Sequence, residues 1–84
     1  MSRYDPIRTR LQALSGNTET FSFEEIADLV GGLPHTATRY AWWWANEDPR
    51  STNNSQCKSW QAAGFLADAD MTRRTVTFRR KKSS

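Results

Sequence analysis

Three consecutive tryptophans, Trp42, Trp43 and Trp44, constrain the fold of this chain more than any other stretch. Each indole ring can bury roughly 150–250 Å² of surface. Neighbouring side chains diverge by about 100° on a helix and point to opposite faces of a strand, so three rings in a row cannot all face one core. We therefore predict that one or two of them complete the core and that another lies on the surface or in an interface.

The length and composition indicate one small domain. A chain of 84 residues, 37% of them apolar, can build a single core of marginal size. We assign residues 1–80 to one domain and residues 81–84 to a basic, disordered tail. The chain has no apolar run of about 18 residues and no signal-peptide pattern, so we expect a cytoplasmic protein without a membrane segment.

The charges are segregated along the chain. Of the 12 lysines and arginines, six lie in residues 73–84, where there is no acidic residue. The other six share residues 1–72 with all nine acidic residues, which leaves that part with a net charge of −3. Such segregation indicates an anionic partner bound at one end, most commonly a nucleic acid. A solvated tail that only keeps the protein soluble would have the same composition.

Local signals in the N-terminal half predict two helices separated by a short edge strand. Asp5 is placed to cap the free N–H groups of the first helix, and residues 18–21 are a β-prone run. Ser22 and Glu25 form a capping box, in which each side chain bonds the other residue's backbone N–H. The second helix therefore starts after Ser22 and ends at Gly31.

The tryptophan segment follows a predicted third helix. The residues at helical spacing on its inward face are Ala37, Tyr40, Ala41 and Trp44. This pattern places Trp43 beside Arg39 on the more polar side. If the chain becomes extended after Tyr40, Trp42 and Trp44 share one face and Trp43 takes the other. Residues 47–54 are polar and predict a mobile loop.

The last third of the chain predicts a fourth helix and a β-hairpin. Cys57 and Trp60 of this helix face inward. The side chains expected to face solvent are Gln56, Lys58, Ser59 and Gln61. Alternating apolar residues in 65–71 and 75–79 predict two strands, joined by a turn at 72–74.

The reactive side chains do not favour catalysis. His35 and Cys57 are the single histidine and the single cysteine, which excludes an internal disulfide and a two-histidine or cysteine-based metal site. The glycine pair at 31–32 follows a helix and lacks the lysine of a phosphate-binding loop. Asp68 and Asp70 share a strand face, where a solvated pair is more common than a metal site. We expect no enzyme activity, no cofactor and no metal.

The order of the predicted elements is that of a winged-helix domain of the α+β class, with one extra segment in the middle. In that arrangement the helix before the hairpin enters the major groove of DNA, and the hairpin contacts the backbone. We therefore predict a non-catalytic protein that binds duplex DNA, such as a transcriptional regulator. The candidate contacts are Gln56, Lys58, Ser59 and Gln61 on the fourth helix, with Arg73, Arg74, Arg79, Arg80, Lys81 and Lys82 in the hairpin and tail.

A protein-interaction module is the alternative, because tryptophan, tyrosine and arginine dominate the energetics of interfaces. The candidate partner-binding residues are Arg39, Trp42, Trp43 and Asn46. For Trp44 and Trp60 we favour a position in the core. Exposed rings could also stack on unpaired bases, which connects this alternative with single-stranded nucleic acid.

Five short motifs are distributed along the chain: Ser22-Phe23-x-Glu25-Ile26, Gly32-Leu33-Pro34-x-x-Ala37, Trp43-Trp44-Ala45-Asn46, Trp60-x-Ala62-Ala63-Gly64-Phe65 and Val76-Thr77-Phe78-Arg79. Together they cover about residues 4–80 and resemble a small, largely uncharacterised bacterial domain family. That family is common in actinobacteria and their mobile elements, alone or beside nuclease-like domains. The resemblance implies DNA-related or defence-related work but no particular activity. Its members carry Ser-His before the fourth helix, where this chain has Asn54-Ser55.

Overall fold

The computed structural model describes residues 3–81, which form the α+β arrangement expected from the sequence. The helices are α1 (Asp5–Gln12), α2 (Phe23–Val30), α3 (His35–Arg39) and α4 (Ser55–Ala62), with a short 3-10 helix (Ala41–Trp44) between α3 and α4. The strands are β1 (Thr18–Ser22), β2 (Phe65–Asp70) and β3 (Thr75–Arg80). Within residues 3–81, no helix is long and apolar enough to cross a membrane.

The three strands form one antiparallel sheet in the order β1-β3-β2. β3 is central: Phe21 of β1 lies opposite Val76, and Ala67 of β2 lies opposite Phe78. The predicted hairpin and the predicted edge position of the first strand are both confirmed. Because side chains alternate along a strand, one face of the sheet carries buried apolar side chains and the other carries mostly polar ones.

The core is built around a stack of aromatic rings. Trp60 is fully buried, and its ring stacks on Trp44 with the centroids 5.9 Å apart. Trp44 in turn stacks on Phe23 at 5.1 Å, and Phe78 meets Trp60 from the sheet at 5.7 Å. Burial of each large apolar side chain contributes about 1.5–3 kcal/mol, so a few rings supply much of the hydrophobic stabilisation of so small a domain. The predicted core positions of Trp44 and Trp60 are confirmed.

The ends of α2 are those predicted, and the start of α1 is not. Ser22 Oγ accepts from the Glu25 N–H at 3.0 Å, and Glu25 Oε1 accepts from the Ser22 N–H at 2.8 Å. Gly31 ends α2 in the left-handed conformation, with φ of 78°. Asp5, however, is the first residue inside α1 and not its cap. Tyr4 takes the cap position without a side-chain hydrogen bond to the helix.

The third helix is shorter than predicted, which changes the rings that face solvent. α3 ends at Arg39, because Tyr40 adopts an extended backbone with φ of −125° and ψ of 125°. The 3-10 helix that follows therefore starts in a new phase. Tyr40 and Ala41 are exposed, although the helical spacing predicted that both face inward. Trp42 is 57% exposed.

Trp43 lies in the core, so its prediction as a surface residue on the polar side is wrong. It is 5% exposed and packs edge-on against Tyr4 at 5.6 Å and Trp44 at 4.7 Å. Two of the three consecutive rings are thus buried and one is exposed, as the first prediction required.

Lys81, the first residue of the predicted basic tail, is joined to the sheet. The Lys81 N–H donates to the Gly64 carbonyl at 2.8 Å, which extends the pairing of β3 with the start of β2 by one step. Lys82 and the rest of the predicted tail lie outside the described residues.

Candidate binding surface

The predicted DNA-reading face of α4 is largely closed. Gln56 and Ser59 are buried, with 6% and 4% of their surface exposed. Gln56 Nε2 donates to the Trp43 carbonyl at 3.2 Å, and Ser59 Oγ donates to the Ser55 carbonyl at 3.1 Å. The prediction that Gln56 and Ser59 face solvent and contact DNA is wrong, because the fold itself uses their polar groups.

The other two predicted contacts of α4 differ from each other. Gln61 Nε2 donates to the backbone carbonyl of Glu47, so this amide is engaged with the loop. Lys58 is exposed. Among these four side chains, α4 therefore offers one cation and no unengaged amide. The carbonyls of Trp43 and Glu47 lie next to α4 and need donors, and the two glutamines supply them.

Two of the predicted phosphate-binding arginines make intramolecular contacts. Arg80 Nη2 donates to the carbonyls of Leu14 and Gly16 at 3.2 and 3.0 Å, and its guanidinium lies 4.6 Å from the Phe65 ring centroid. Arg80 thus joins the α1–β1 connection to the sheet. Arg79 lies on the outer face of the sheet, 3.8 Å from Asp68 Oδ2.

The hairpin turn presents two adjacent arginines. Asp70 Oδ1 accepts from the N–H groups of Thr72 and Arg73 at 3.1 and 3.0 Å, which shapes the turn. Arg73 is 82% exposed in its side chain, and its Nε lies 3.8 Å from Asp70 Oδ2. Arg74 has φ of 57°, the left-handed conformation that favours glycine. Its carbonyl accepts from the Phe23 N–H at 2.9 Å, and its guanidinium lies 5.9 Å from the Phe23 ring centroid.

Among the described residues, the cations that follow position 72 do not converge on one surface. Arg73 and Arg74 precede β3, whereas Arg80 and Lys81 stand at its other end. Five steps along a strand span about 17 Å, so the two groups occupy opposite ends of the hairpin. Within residues 3–81, the predicted phosphate contacts therefore do not form one basic surface beside α4.

The exposed aromatic rings form a separate feature. Tyr40 and Trp42 are 47% and 57% exposed, and their rings stack at 5.9 Å with an angle of 18° between the planes. Arg39, which precedes them, is also exposed. Tyr40 is the functional candidate that the sequence reasoning missed. The available signal was the run of bulky rings at 42–44, whose restricted side-chain rotamers disfavour a regular helix.

A cleft of about 160 Å³ connects α3 with the hairpin turn. Its walls are Phe23, Glu24, Ala27, Leu33, Thr38 and Arg74. Thr38 of α3 and Arg74 of the hairpin turn thus line one cleft. We use the name aromatic–arginine surface for the exposed residues at the end of α3, after it and in the hairpin turn, namely Arg39, Tyr40, Trp42, Arg73 and Arg74.

Asn46, a predicted partner-binding residue, has a structural role. Its Oδ1 accepts from Trp60 Nε1 at 2.9 Å and from the Ala67 N–H at 2.8 Å, and its Nδ2 donates to the Ala67 carbonyl at 2.8 Å. The amide thus pairs with the outer edge of β2 as a neighbouring strand would. Trp43 is buried and the polar groups of Asn46 are bonded within the fold, so neither side chain presents the free surface group that the partner-binding prediction assumed.

The predicted mobile loop at residues 47–54 is held by carboxylates. Glu47 Oε1 accepts from Thr52 Oγ1 and from Asn54 Nδ2, each at 2.6 Å. These two hydrogen bonds, that from Thr52 first, lower the pKa of Glu47. The Arg50 N–H, which donates to Asp48 Oδ1 at 2.9 Å, lowers the pKa of Asp48 in the same way.

Cys57 is buried among apolar side chains. Its Sγ donates to the Asn54 carbonyl at 3.4 Å, and burial raises the pKa of the thiol. A protonated, inaccessible thiol is a poor nucleophile. Within the described part of the chain, no three His, Cys, Asp or Glu side chains are placed to hold a metal ion. The exposed groups that stand out are those of the aromatic–arginine surface.

A family model described as a domain of unknown function (DUF7662) matches residues 4–82, nearly the whole chain. Neither the curated proteins nor the solved structures gave a match.

Proposed function

This chain belongs to the DUF7662 family, a domain of unknown function, and we propose that it is a non-catalytic nucleic-acid-binding protein that acts through the aromatic–arginine surface. The observation that carries the proposal is the exposed, stacked pair of Tyr40 and Trp42. Trp43, Trp44 and Trp60 are all buried, so Trp42 is the tryptophan available to a partner.

The stacked pair suits an unpaired base. Base–aromatic stacking contributes about 1–3 kcal/mol per base and tolerates any sequence, because every base has a flat π-face. The two rings of this chain lie nearly parallel, so a base that stacks on the outer ring continues an existing stack. The same contact would be closed to bases held inside an undistorted duplex.

The arginines suit the phosphates of the same strand. Arg39, Arg73 and Arg74 are exposed, and Arg74 lies beside the end of α3 from which the rings extend. If each arginine binds one phosphate of a single strand, the slope of log K against log salt concentration is about −2.

The proposal keeps the winged-helix arrangement but not the reading of bases by α4. The element order and the C-terminal hairpin support it, with the hairpin turn taking the position of the wing. Reading of bases by α4 is not supported, since Lys58 is the one exposed side chain among its four predicted contacts. We therefore favour contacts to unpaired bases and phosphates over sequence readout in the major groove.

A titration with a labelled 12-nucleotide single strand and with the matching duplex tests this function. Fluorescence anisotropy should show tighter binding of the single strand. Trp42→Ala should weaken that binding roughly 5- to 150-fold, the equivalent of one lost base stack. Leu66→Ala is the matched control, because Leu66 is also an exposed apolar residue but lies on the outer face of the sheet. Equal affinity of the parent protein and the Trp42→Ala variant would refute the proposal.

A protein partner is the second candidate for the same surface. Asp70 lies 3.8 Å from Arg73, and Glu24 lines the cleft with Arg74, so the local positive charge is partly neutralised. Tyrosine, tryptophan and arginine are also the residues that most often dominate protein interfaces. If Trp42→Ala abolishes capture of a protein partner and leaves single-strand affinity unchanged, this candidate replaces the first.

A further inference from the structure

The outer edge of β1 carries unpaired backbone groups. The Arg80 N–H donates to the Asn17 carbonyl at 2.7 Å, and the Phe23 N–H donates to the Arg74 carbonyl at 2.9 Å. Since hydrogen bonding alternates along an antiparallel strand, the odd-numbered residues of this stretch face β3 and the even-numbered ones face outward. Among the outward-facing groups, the Ser22 N–H donates to the side chain of Glu25. The outward N–H and C=O groups of Thr18 and Thr20 have no hydrogen-bond partner within residues 3–81.

The outward backbone groups are hydrogen-bonded at one edge of the sheet and not at the other. At β2, the outward N–H and C=O of Ala67 are both bonded by the Asn46 side chain, which blocks the addition of another strand there. At β1, no side chain within the described residues does the same for Thr18 and Thr20. An unprotected edge is a template for pairing with another chain.

A cleft of about 270 Å³ lies beside this open edge, between α1, β1 and α2. Its walls are Arg10, Glu19, Phe21, Glu25, Asp28 and Leu29. Phe21 and Glu19 are on the helix-facing side of β1, so alternate side chains of an added strand would point toward the cleft. Strand addition with pockets for alternate side chains is an established mode of peptide recognition.

The charges of the cleft select the occupant. Arg10 is paired with Glu19, Nη2 to Oε2 at 2.6 Å. The Glu25 carboxylate accepts from the Ser22 N–H, and neither Glu25 nor Asp28 is in an ion pair among the described residues. The cleft therefore retains a net negative charge next to the apolar surface of Phe21 and Leu29. We propose that the edge of β1 binds an extended segment of another protein in which lysine or arginine alternates with other residues.

A second copy of this chain is a poor occupant. Self-pairing through β1 would bring Glu19 of the second copy toward Glu25 and Asp28 of the first. Like charges at such a contact oppose association. The inference is independent of the proposed nucleic-acid binding, because it uses none of the residues of the aromatic–arginine surface.

Binding of two labelled hexapeptides to the full chain tests the inference, one of alternating lysine and valine and one of alternating glutamate and valine. The lysine peptide should bind and the glutamate peptide should not. Thr20→Pro removes the outward N–H and leaves the backbone bonds to β3, although it also removes the 2.7 Å hydrogen bond between Thr20 Oγ1 and Thr77 Oγ1. It should weaken binding about 2- to 10-fold. Asp28→Lys should weaken it about fivefold or more. Glu24→Lys is the matched control on the same helix, because Glu24 lines the other cleft.

Hydrogen exchange then locates the peptide. On addition of the lysine peptide, the amides of Thr18 and Thr20 should become protected, and those of Tyr40 and Trp42 should not change. A Thr20→Pro chain that does not fold, as judged by circular dichroism, leaves Asp28→Lys and the exchange pattern to decide. The inference is overturned if Asp28→Lys binds like Glu24→Lys, or if protection appears elsewhere. It is also overturned if the free protein is a dimer that Thr20→Pro dissociates, since the occupant is then a second copy.

Discussion

At the scale of single residues, Asn46 shows how one amide can join three parts of the fold. Its side chain links the end of the 3-10 segment, the Trp60 ring of α4 and the backbone of β2. Asparagine has both a donor and an acceptor in one plane, which matches the N–H and C=O of an edge strand. No local sequence pattern announces this role, because Trp60 and Ala67 are 14 and 21 residues away.

Asn46→Ala should destabilise the protein by about 1–3 kcal/mol, because it leaves the indole N–H of the buried Trp60 and the backbone groups of Ala67 without their partner. The partial exposure of Asn46 keeps the loss at this size, since water can replace some of the bonds. Urea denaturation measures the change in the free energy of unfolding. Asn53→Ala, at an exposed loop position, is the control and should change it by less than about 0.5 kcal/mol. Similar values for the two variants would contradict the structural role of Asn46.

At the scale of elements, the parts predicted correctly are those defined by neighbours in sequence. The capping box of α2 joins Ser22 to Glu25, and the hairpin joins two strands through a turn of four residues. Such contacts need no knowledge of the rest of the fold. The side of the chain on which Trp43 lies was predicted wrongly, because its burial against Tyr4 depends on the cap of α1, which lies far back along the chain.

The loop at residues 47–54 should loosen in acid. A carboxylate whose pKa is lowered by folding contributes stability above its unfolded pKa, and this contribution is lost as the pH falls through the lowered, folded pKa. The hydrogen bonds from Thr52 and Asn54 lower the pKa of Glu47, so the loop should be ordered at neutral pH. It should loosen only below the ordinary glutamate pKa of about 4.3.

The NMR signal of the Asn54 side-chain amide, followed during an acid titration, measures this transition. Glu47→Gln should remove the titration from that signal, whereas Glu24→Gln should leave it in place. A midpoint above the ordinary glutamate pKa would show that the hydrogen bonds to Glu47 do not hold the loop.

At the scale of the whole molecule, the basic C-terminal region has two roles instead of one. Arg80 bonds the carbonyls of Leu14 and Gly16 and covers Phe65, so its charge serves the fold. Arg73 is exposed at the turn, and its ion pair with Asp70 lies on the surface and is weak. The net charge of the sequence does not distinguish these two arginines.

Arg73→Ala should therefore change mainly the binding of nucleic acid, and Arg80→Ala should change mainly the stability of the fold. Arg80→Ala should cost about 1–3 kcal/mol of stability through its lost hydrogen bonds and ring contact, and it should leave single-strand affinity unchanged. Arg73→Ala should change stability by less than about 1 kcal/mol and should reduce the salt slope of binding by about 0.7. Thermal unfolding and anisotropy at several salt concentrations measure both quantities. Equal loss of affinity in the two variants would place both arginines in one binding surface.

The sequence by itself determined the α+β class, the capped second helix, the terminal hairpin and the division of the three tryptophans between core and surface. These features follow from periodicity and from contacts between close neighbours, which any chain with this pattern must satisfy. Only the tertiary structure decided which polar side chains remain available to a partner. Gln56, Ser59, Asn46 and Arg80 resemble surface residues in the sequence, but each finds backbone groups to bond once distant segments pack together. Buried or edge backbone groups require such partners, and which side chain supplies them depends on the packing of the whole chain.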